Sequence, residues 1–151
     1  MNNEIGGIFM TKLTLKQKDY IVSQVYKKYQ RAQLDIIFLT QHYNYYPQSD
    51  ICKIKEPSAS YHSGDHNIIK MLDRKRELEE YVEIINRIHE HLSTESKFFI
   101  ENEYLNFYDR SWWYKYYSRA SYYRIKHKAL DEFLESSQVF FDSFEFQKVI
   151  K

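Results

Sequence analysis

Leu15, Val22, Val25, Tyr29, Ala32, Ile36, Leu39, Tyr43 and Tyr46 fall at steps of three and four, with Lys18 the one interruption. A strand would need apolar residues at every second position. This heptad-like stripe, sustained over roughly thirty residues, fits a helix buried along one side. It predicts one long helix from about Leu15 to Tyr45. Thr14 with Gln17 reads as a capping box opening it, and Pro47 as its stop. Three Gly and two Pro in 151 residues also argue for long helices over a turn-rich β fold.

The stretch from Pro47 to Asn67 holds both prolines, Gly64 and several Ser, and reads as a loop over 47–66. A second helix is expected to start near Asp65 or Asn67. Ile68 and Met71, then Leu78, Tyr81, Ile85, Ile88 and Leu92, continue the spacing, while "DRKRELEE" reads as its solvated face. Neither stripe can be buried alone, so the two helices should pack as an antiparallel hairpin over 14–92. The first stripe also allows a homodimer or docking on another protein, with intramolecular pairing the default.

After Leu92 three more helices are expected. "STESKFFIENEYL" is capped by Ser93 or Thr94. "WWYKYY" is very short, with Asp109 or Ser111 as cap. "RASYYRIKHKALDEFL" follows a cap at Ser118. A short middle helix before a capped third one is a helix-turn-helix layout, assigned to 93–135. The fold class is therefore all-α: a long helical hairpin, then a C-terminal helix-turn-helix. Residues 1–13 read as a disordered or variable N-terminus and 136–151 as an acidic, aromatic tail. Met10 is a candidate true start.

Formal net charge is only +1, so any argument for a polyanion partner must rest on local clustering. Such a cluster exists. From Arg110 to Lys128 there are six Lys or Arg and no acid, and Asp131, Glu132 and Glu135 follow at once. At 100° per residue, Tyr122, Ile125, Ala129 and Phe133 fall on one inward stripe. Ala120, Ser121, Arg124, His127 and Lys128 fall opposite, Tyr123 lies on the border and Lys126 nearer the buried side. The expected double-stranded DNA contacts are Lys115, Ser118, Arg119, Ala120, Ser121, Tyr123, Arg124, His127 and Lys128. Trp112 and Trp113 read as core plugs, one of them reaching solvent.

"SRASYYRIKHKAL" resembles the recognition helix in the fourth conserved region of bacterial housekeeping-type sigma factors. Ser118 matches the cap; Arg119, Tyr122, Arg124, Ile125 and the trio Lys128, Ala129 and Leu130 fall at matching positions. The pattern of long helix, Ser-containing loop, second helix, short Trp-containing helix and "SRASYYRIKHKAL" is similar to sigma-like phage late regulators of the ArpU type. The likeness is specific over about Leu92 to Leu134 and architectural before that. It implies a transcription regulator that acts with RNA polymerase at promoters. Ala120 stands where sigma factors carry an acid that reads a promoter base, and no segment resembles the sigma region that melts DNA. A polymerase-binding or other protein-interaction module is the alternative, and RNA binding a weaker third.

An enzyme is not expected, nor a cofactor. Only Gly64 lies outside the N-terminal stretch, so there is no phosphate-binding Gly loop. Ser63, Asp65 and His66 are catalytic residue types, but adjacency in sequence is not triad geometry. His62 and His66 are four apart with His62 in the loop, and His89 and His91, two apart on a helix, point away from each other. A metal site is not expected either. One cysteine, Cys52, allows no internal disulfide, and no apolar run nears the roughly 20 residues that span a bilayer. The expected location is cytoplasmic, at the nucleoid.

Overall fold

The computed structural model describes residues 13–45, 61–106 and 109–140. Pro47, Cys52, most of the 47–66 loop, the N-terminal stretch with Met10, and 141–151 of the expected tail lie outside the described residues. Every element among the described residues is helical. Helix α1 is Leu15–Tyr45, α2 is Tyr61–His91, α3 is Thr94–Ile100 and α4 is Arg119–Gln138. A π-helical turn, Glu101–Leu105, continues α3, and a 3-10 turn, Trp112–Lys115, precedes α4. Among the described residues no helix is long and apolar enough to cross a membrane.

The chain divides into two compact units. One combines Met1–Lys28 with Ile84–Lys151; the other is Tyr29–Glu83. The long helices pass from one unit into the other.

In the first unit, α1 starts as its capping box predicts. The Thr14 backbone N–H donates to Gln17 Oε1 at 2.9 Å, and the Gln17 N–H donates to Thr14 Oγ1 at 3.3 Å. The stripe residues Val22 and Val25 are buried, and so are Ile21 and Tyr26, which the stripe omits. Tyr26 explains the wider face. Its ring lies against His89, Tyr104 and Phe133, with centroids 5.5, 5.7 and 5.3 Å away. A helix that meets three neighbours needs a broader apolar face than a two-helix seam provides.

Ile85, Ile88, Leu92, Phe99, Ile100, Leu130, Phe133 and Leu134 are further buried apolar residues of this unit's core. Burying each large apolar side chain contributes about 1.5–3 kcal/mol. Helix α3 is too short to persist alone and packs directly on α4. Its cap is Ser93, whose Oγ accepts from the Ser96 N–H at 3.4 Å.

Two boundaries differ from expectation. Helix α2 begins at Tyr61, ahead of Asp65, so Ser63 and Gly64 are helical. A single Gly costs a helix only about 1 kcal/mol against Ala, which a 31-residue helix absorbs. Helix α4 runs past residue 135 to Gln138, with Ser137 buried and its hydroxyl donating to the Leu134 carbonyl at 2.7 Å.

In the second unit, Tyr29 and Ala32 are buried, while Ile36, Leu39, Ile68, Met71, Leu78 and Tyr81 are half-buried. Leu34, Ile37, Phe38, Ile69 and Leu72 are exposed. The pairs Lys75–Glu79 and Arg76–Glu80, at 3.7 and 3.4 Å, lace the polar face of α2. Each such i,i+4 pair adds about 0.2–0.5 kcal/mol.

Candidate nucleic-acid interface

Helix α4 begins where a serine can start it. Ser118 is extended (φ −70°, ψ 162°), and its Oγ accepts from the Ser121 N–H at 3.2 Å. The Ser118 hydroxyl also donates to Ser121 Oγ at 3.0 Å. The inward stripe is as expected: Tyr122, Ile125, Ala129 and Phe133 are all buried, joined by Leu130 and Leu134.

The outward residues also fall together. Arg119, Ala120, Arg124 and His127 are exposed, as are Lys115 and Ser118, while Ser121 is half-buried against its cap. Tyr123 is exposed at 43%, with its ring edge against Tyr122. Lys128 is exposed but engaged: its ammonium donates to Glu95 of α3 at 2.9 Å. That hydrogen bond raises the Lys128 pKa, with the Glu95 charge acting in the same direction.

Lys126 has a different role from its neighbours. Its side chain is only 12% exposed, and its ammonium sits 3.2 Å from Asp19 of α1 and 3.9 Å from Glu103 of the π-helical turn. Two of the six cations between Arg110 and Lys128 are therefore neutralised internally. No carboxylate among the described residues pairs with the other four, Arg110, Lys115, Arg119 and Arg124.

Glu103 is the centre of a polar knot beneath the helix. One carboxylate oxygen accepts from the Trp112 indole N–H at 2.8 Å, the other from the Tyr122 hydroxyl at 2.7 Å. The Tyr104 hydroxyl donates to Asp19, which also meets Lys126. Burial, reinforced by these carboxylates, pushes both the Tyr104 and Tyr122 phenols well above their usual range. Both remain protonated donors. The knot ties α1, the π-helical turn, the 3-10 turn and α4 together, which fixes the rotation of α4 about its axis.

A second tie holds α3 to α4. Glu132 of α4 accepts from the Ser93 N–H at 3.1 Å and from the Ser93 hydroxyl at 2.9 Å. Burial would raise the Glu132 pKa, but bonds from the Ser93 backbone, Ser96 and Ser93, with Lys128 nearby, hold it below the usual value. The carboxylate sits where the first turn of α3 leaves N–H groups without helical partners. A third tie, Lys18 to Asp131, joins α1 to α4.

The two tryptophans divide as expected. Trp112 is buried, and Trp113 is half-buried, stacked between Tyr122 and Tyr114. Asp109 makes the turn before them, accepting from the Ser111 N–H at 2.9 Å. Composition gave no sign of Glu103, Asp19 or Glu95. Only the placement of Lys126 on the inner side of α4 hinted that an acid lay beneath.

Among the described residues no three His, Cys, Asp or Glu side chains gather where they could hold a metal ion. His62, Ser63 and Asp65 lie outside the residues whose side chains are described. His89 is half-buried against Tyr26, to whose hydroxyl it is hydrogen-bonded, and burial, with the Lys97 charge, lowers its pKa to about 4.

No protein-family model matches the chain, and neither a curated protein nor a solved structure does.

Proposed function

We propose that the protein is a sigma-like, DNA-binding transcription regulator that acts with RNA polymerase at promoters and performs no chemistry itself. In this reading α3, the 3-10 turn and α4 act as a helix-turn-helix, with α4 entering the major groove. The long helices α1 and α2 act as an antiparallel hairpin that meets RNA polymerase or a second copy of the chain. The observation that carries the reading is the outer face of α4. Arg119, Ala120, Tyr123, Arg124 and His127 lie along it behind a Ser-capped N-terminus, preceded by Arg110 and Lys115, which have no carboxylate partner among the described residues.

The geometry suits that task. The major groove, about 12 Å wide, admits one helix. Ala120 leaves room for close approach near the helix start, and Arg124 is one turn further along. The acids of α4 begin only at Asp131, so its first two to three turns are the part that a phosphate backbone tolerates. Four cations without a carboxylate partner among the described residues predict a salt slope of about −3.6 on duplex DNA, not the steeper value that six would give.

Fluorescence anisotropy with a duplex across about 50–200 mM salt tests this. Arg124→Ala should lower the slope by about 1. Lys128→Ala should change it less, since Glu95 already holds that charge. A slope near zero would remove DNA binding from the account.

The exposed Leu34, Ile37 and Phe38 on α1 favour a second reading, a protein-interaction module that docks on RNA polymerase or another protein without reading DNA. A tagged pull-down with nuclease treatment separates the two. Polymerase subunits retained after nuclease, together with absent duplex binding, would select the second reading.

A further inference from the structure

We propose that Tyr122, Trp113 and Tyr114 form a stacking platform for an unpaired base of a DNA strand. The three rings make a continuous ladder. Trp113 lies over Tyr122 with centroids 4.7 Å apart and planes 29° from parallel. Tyr114 lies over Trp113 at 4.0 Å and 24°. The ladder runs from core to surface: Tyr122 is 7% exposed, Trp113 is half-buried and Tyr114 is 69% exposed.

One face of Tyr114 is spent on Trp113, so exposure this large leaves the other face open. Trp113 is the one aromatic ring in contact with Tyr114 among the described residues. Among the described residues no further ring closes the outer end of the stack, and Tyr114 is exposed there. The open rung accepts a flat π system, and every base has such a face whatever its sequence. The ring is also held in place by the rungs beneath it, so a ligand need not freeze it on binding.

The surrounding charge selects the ligand. Lys115 is the next residue, and Arg110 and Arg119 flank the 3-10 turn in sequence. All three are exposed without a carboxylate partner among the described residues. An exposed ring followed directly by Lys115, in a segment whose neighbouring charges are Arg110 and Arg119, suits a base with its phosphates better than a neutral aromatic or an arginine from a protein partner. Tyr122 is a residue of α4, so the ladder is rooted in the helix whose outer face carries Arg119 and Arg124. The choice of DNA over RNA rests on the reading of α4 above; the ladder itself does not.

Trp113 supplies the readout. The full-length protein is titrated with oligothymidylate, oligouridylate and a duplex, the single strands about twelve nucleotides long. Oligothymidylate should quench tryptophan emission. Tyr114→Ala should weaken it at least about tenfold, and Tyr114→Phe, which keeps the π face, should stay within about twofold. Duplex affinity of Tyr114→Ala should be unchanged. Tyr114 is exposed, so the fold should survive, and far-UV circular dichroism checks that.

Equal oligothymidylate affinity for wild type and Tyr114→Ala, or no quenching at millimolar strand, would overturn the platform. Tighter binding of oligouridylate than oligothymidylate would overturn its assignment to DNA. Loss of duplex binding with oligothymidylate binding intact would reject the reading of α4 and leave the ladder standing.

Discussion

Replacing Glu103 with glutamine changes almost no volume, yet it should unsettle the ground under α4. The carboxylate is 20% exposed and serves two donors, the Trp112 indole and the Tyr122 hydroxyl, with Lys126 nearby. A glutamine oxygen can keep one of those donors. Its amide nitrogen then faces the other, which loses its acceptor in a largely buried place. An unsatisfied buried donor costs about 1–3 kcal/mol. Lys126 retains Asp19 at 3.2 Å, so the lost 3.9 Å attraction adds no more than about 1 kcal/mol.

The expected sum is about 2–3 kcal/mol, a large share of the roughly 5–15 kcal/mol that holds a domain folded. Urea unfolding followed by tryptophan emission reads this directly, since Trp112 and Trp113 both belong to the first unit. The midpoint should fall by about 1 M or more with an unchanged slope. Tyr122→Phe removes one of the competing donors. In the double variant the remaining oxygen suffices for Trp112, giving a coupling of about 1 kcal/mol. If Glu103→Gln lies within about 0.5 kcal/mol of wild type, or the two substitutions simply add, the knot does not anchor the helix.

Ser118→Ala should cost about 1 kcal/mol by removing the cap of α4, lowering the thermal midpoint by a few degrees; an unchanged midpoint would show the cap to be idle. His89 gives a pH dependence. Its pKa is about 4 in the folded protein against 6.5 unfolded, so the unfolded chain binds more protons between those values. The stability His89 contributes is therefore complete above pH 6.5 and is lost as pH falls towards 4. Allowing for partial exposure, this is about 1–2 kcal/mol. The stability curves of wild type and His89→Gln should converge across that window, and parallel curves would reject the assignment.

The sequence was most legible where structure is local. The Thr14–Gln17 box and the Ser118 cap each act within three residues, and the caps formed as read. The inward stripe of α4 was legible because 3.6-residue periodicity depends on nothing distant. What was hidden depends on partners far along the chain. Lys126 looks like one more cation in a basic run until Asp19 and Glu103 arrive from two other elements. The burial of Tyr26 follows from three rings on three segments, which no single stripe encodes. The π-helical turn carries an ordinary helical sequence, and its wider turn places Tyr104 towards Asp19 and Glu103 towards Trp112. Gly64 and Ser63 suggested a loop, yet they are taken up in a helix long enough to carry them.

The bond from Glu132 to Ser93 also bears on how the protein is made. Helix α3 spans seven residues, and the acid that completes its start is synthesised almost forty residues later. Lys18 and Asp19 near the N-terminus likewise wait for Asp131 and Lys126. A nascent chain that has not yet released α4 thus lacks the ion pairs that Asp131, Lys126 and Lys128 make with Lys18, Asp19, Glu103 and Glu95. Until α4 is synthesised, the apolar face of α1 also lacks Phe133, which packs on Tyr26. Protease digestion of ribosome-stalled chains should find α1 and α3 cut until α4 emerges; early protection would contradict this order of assembly.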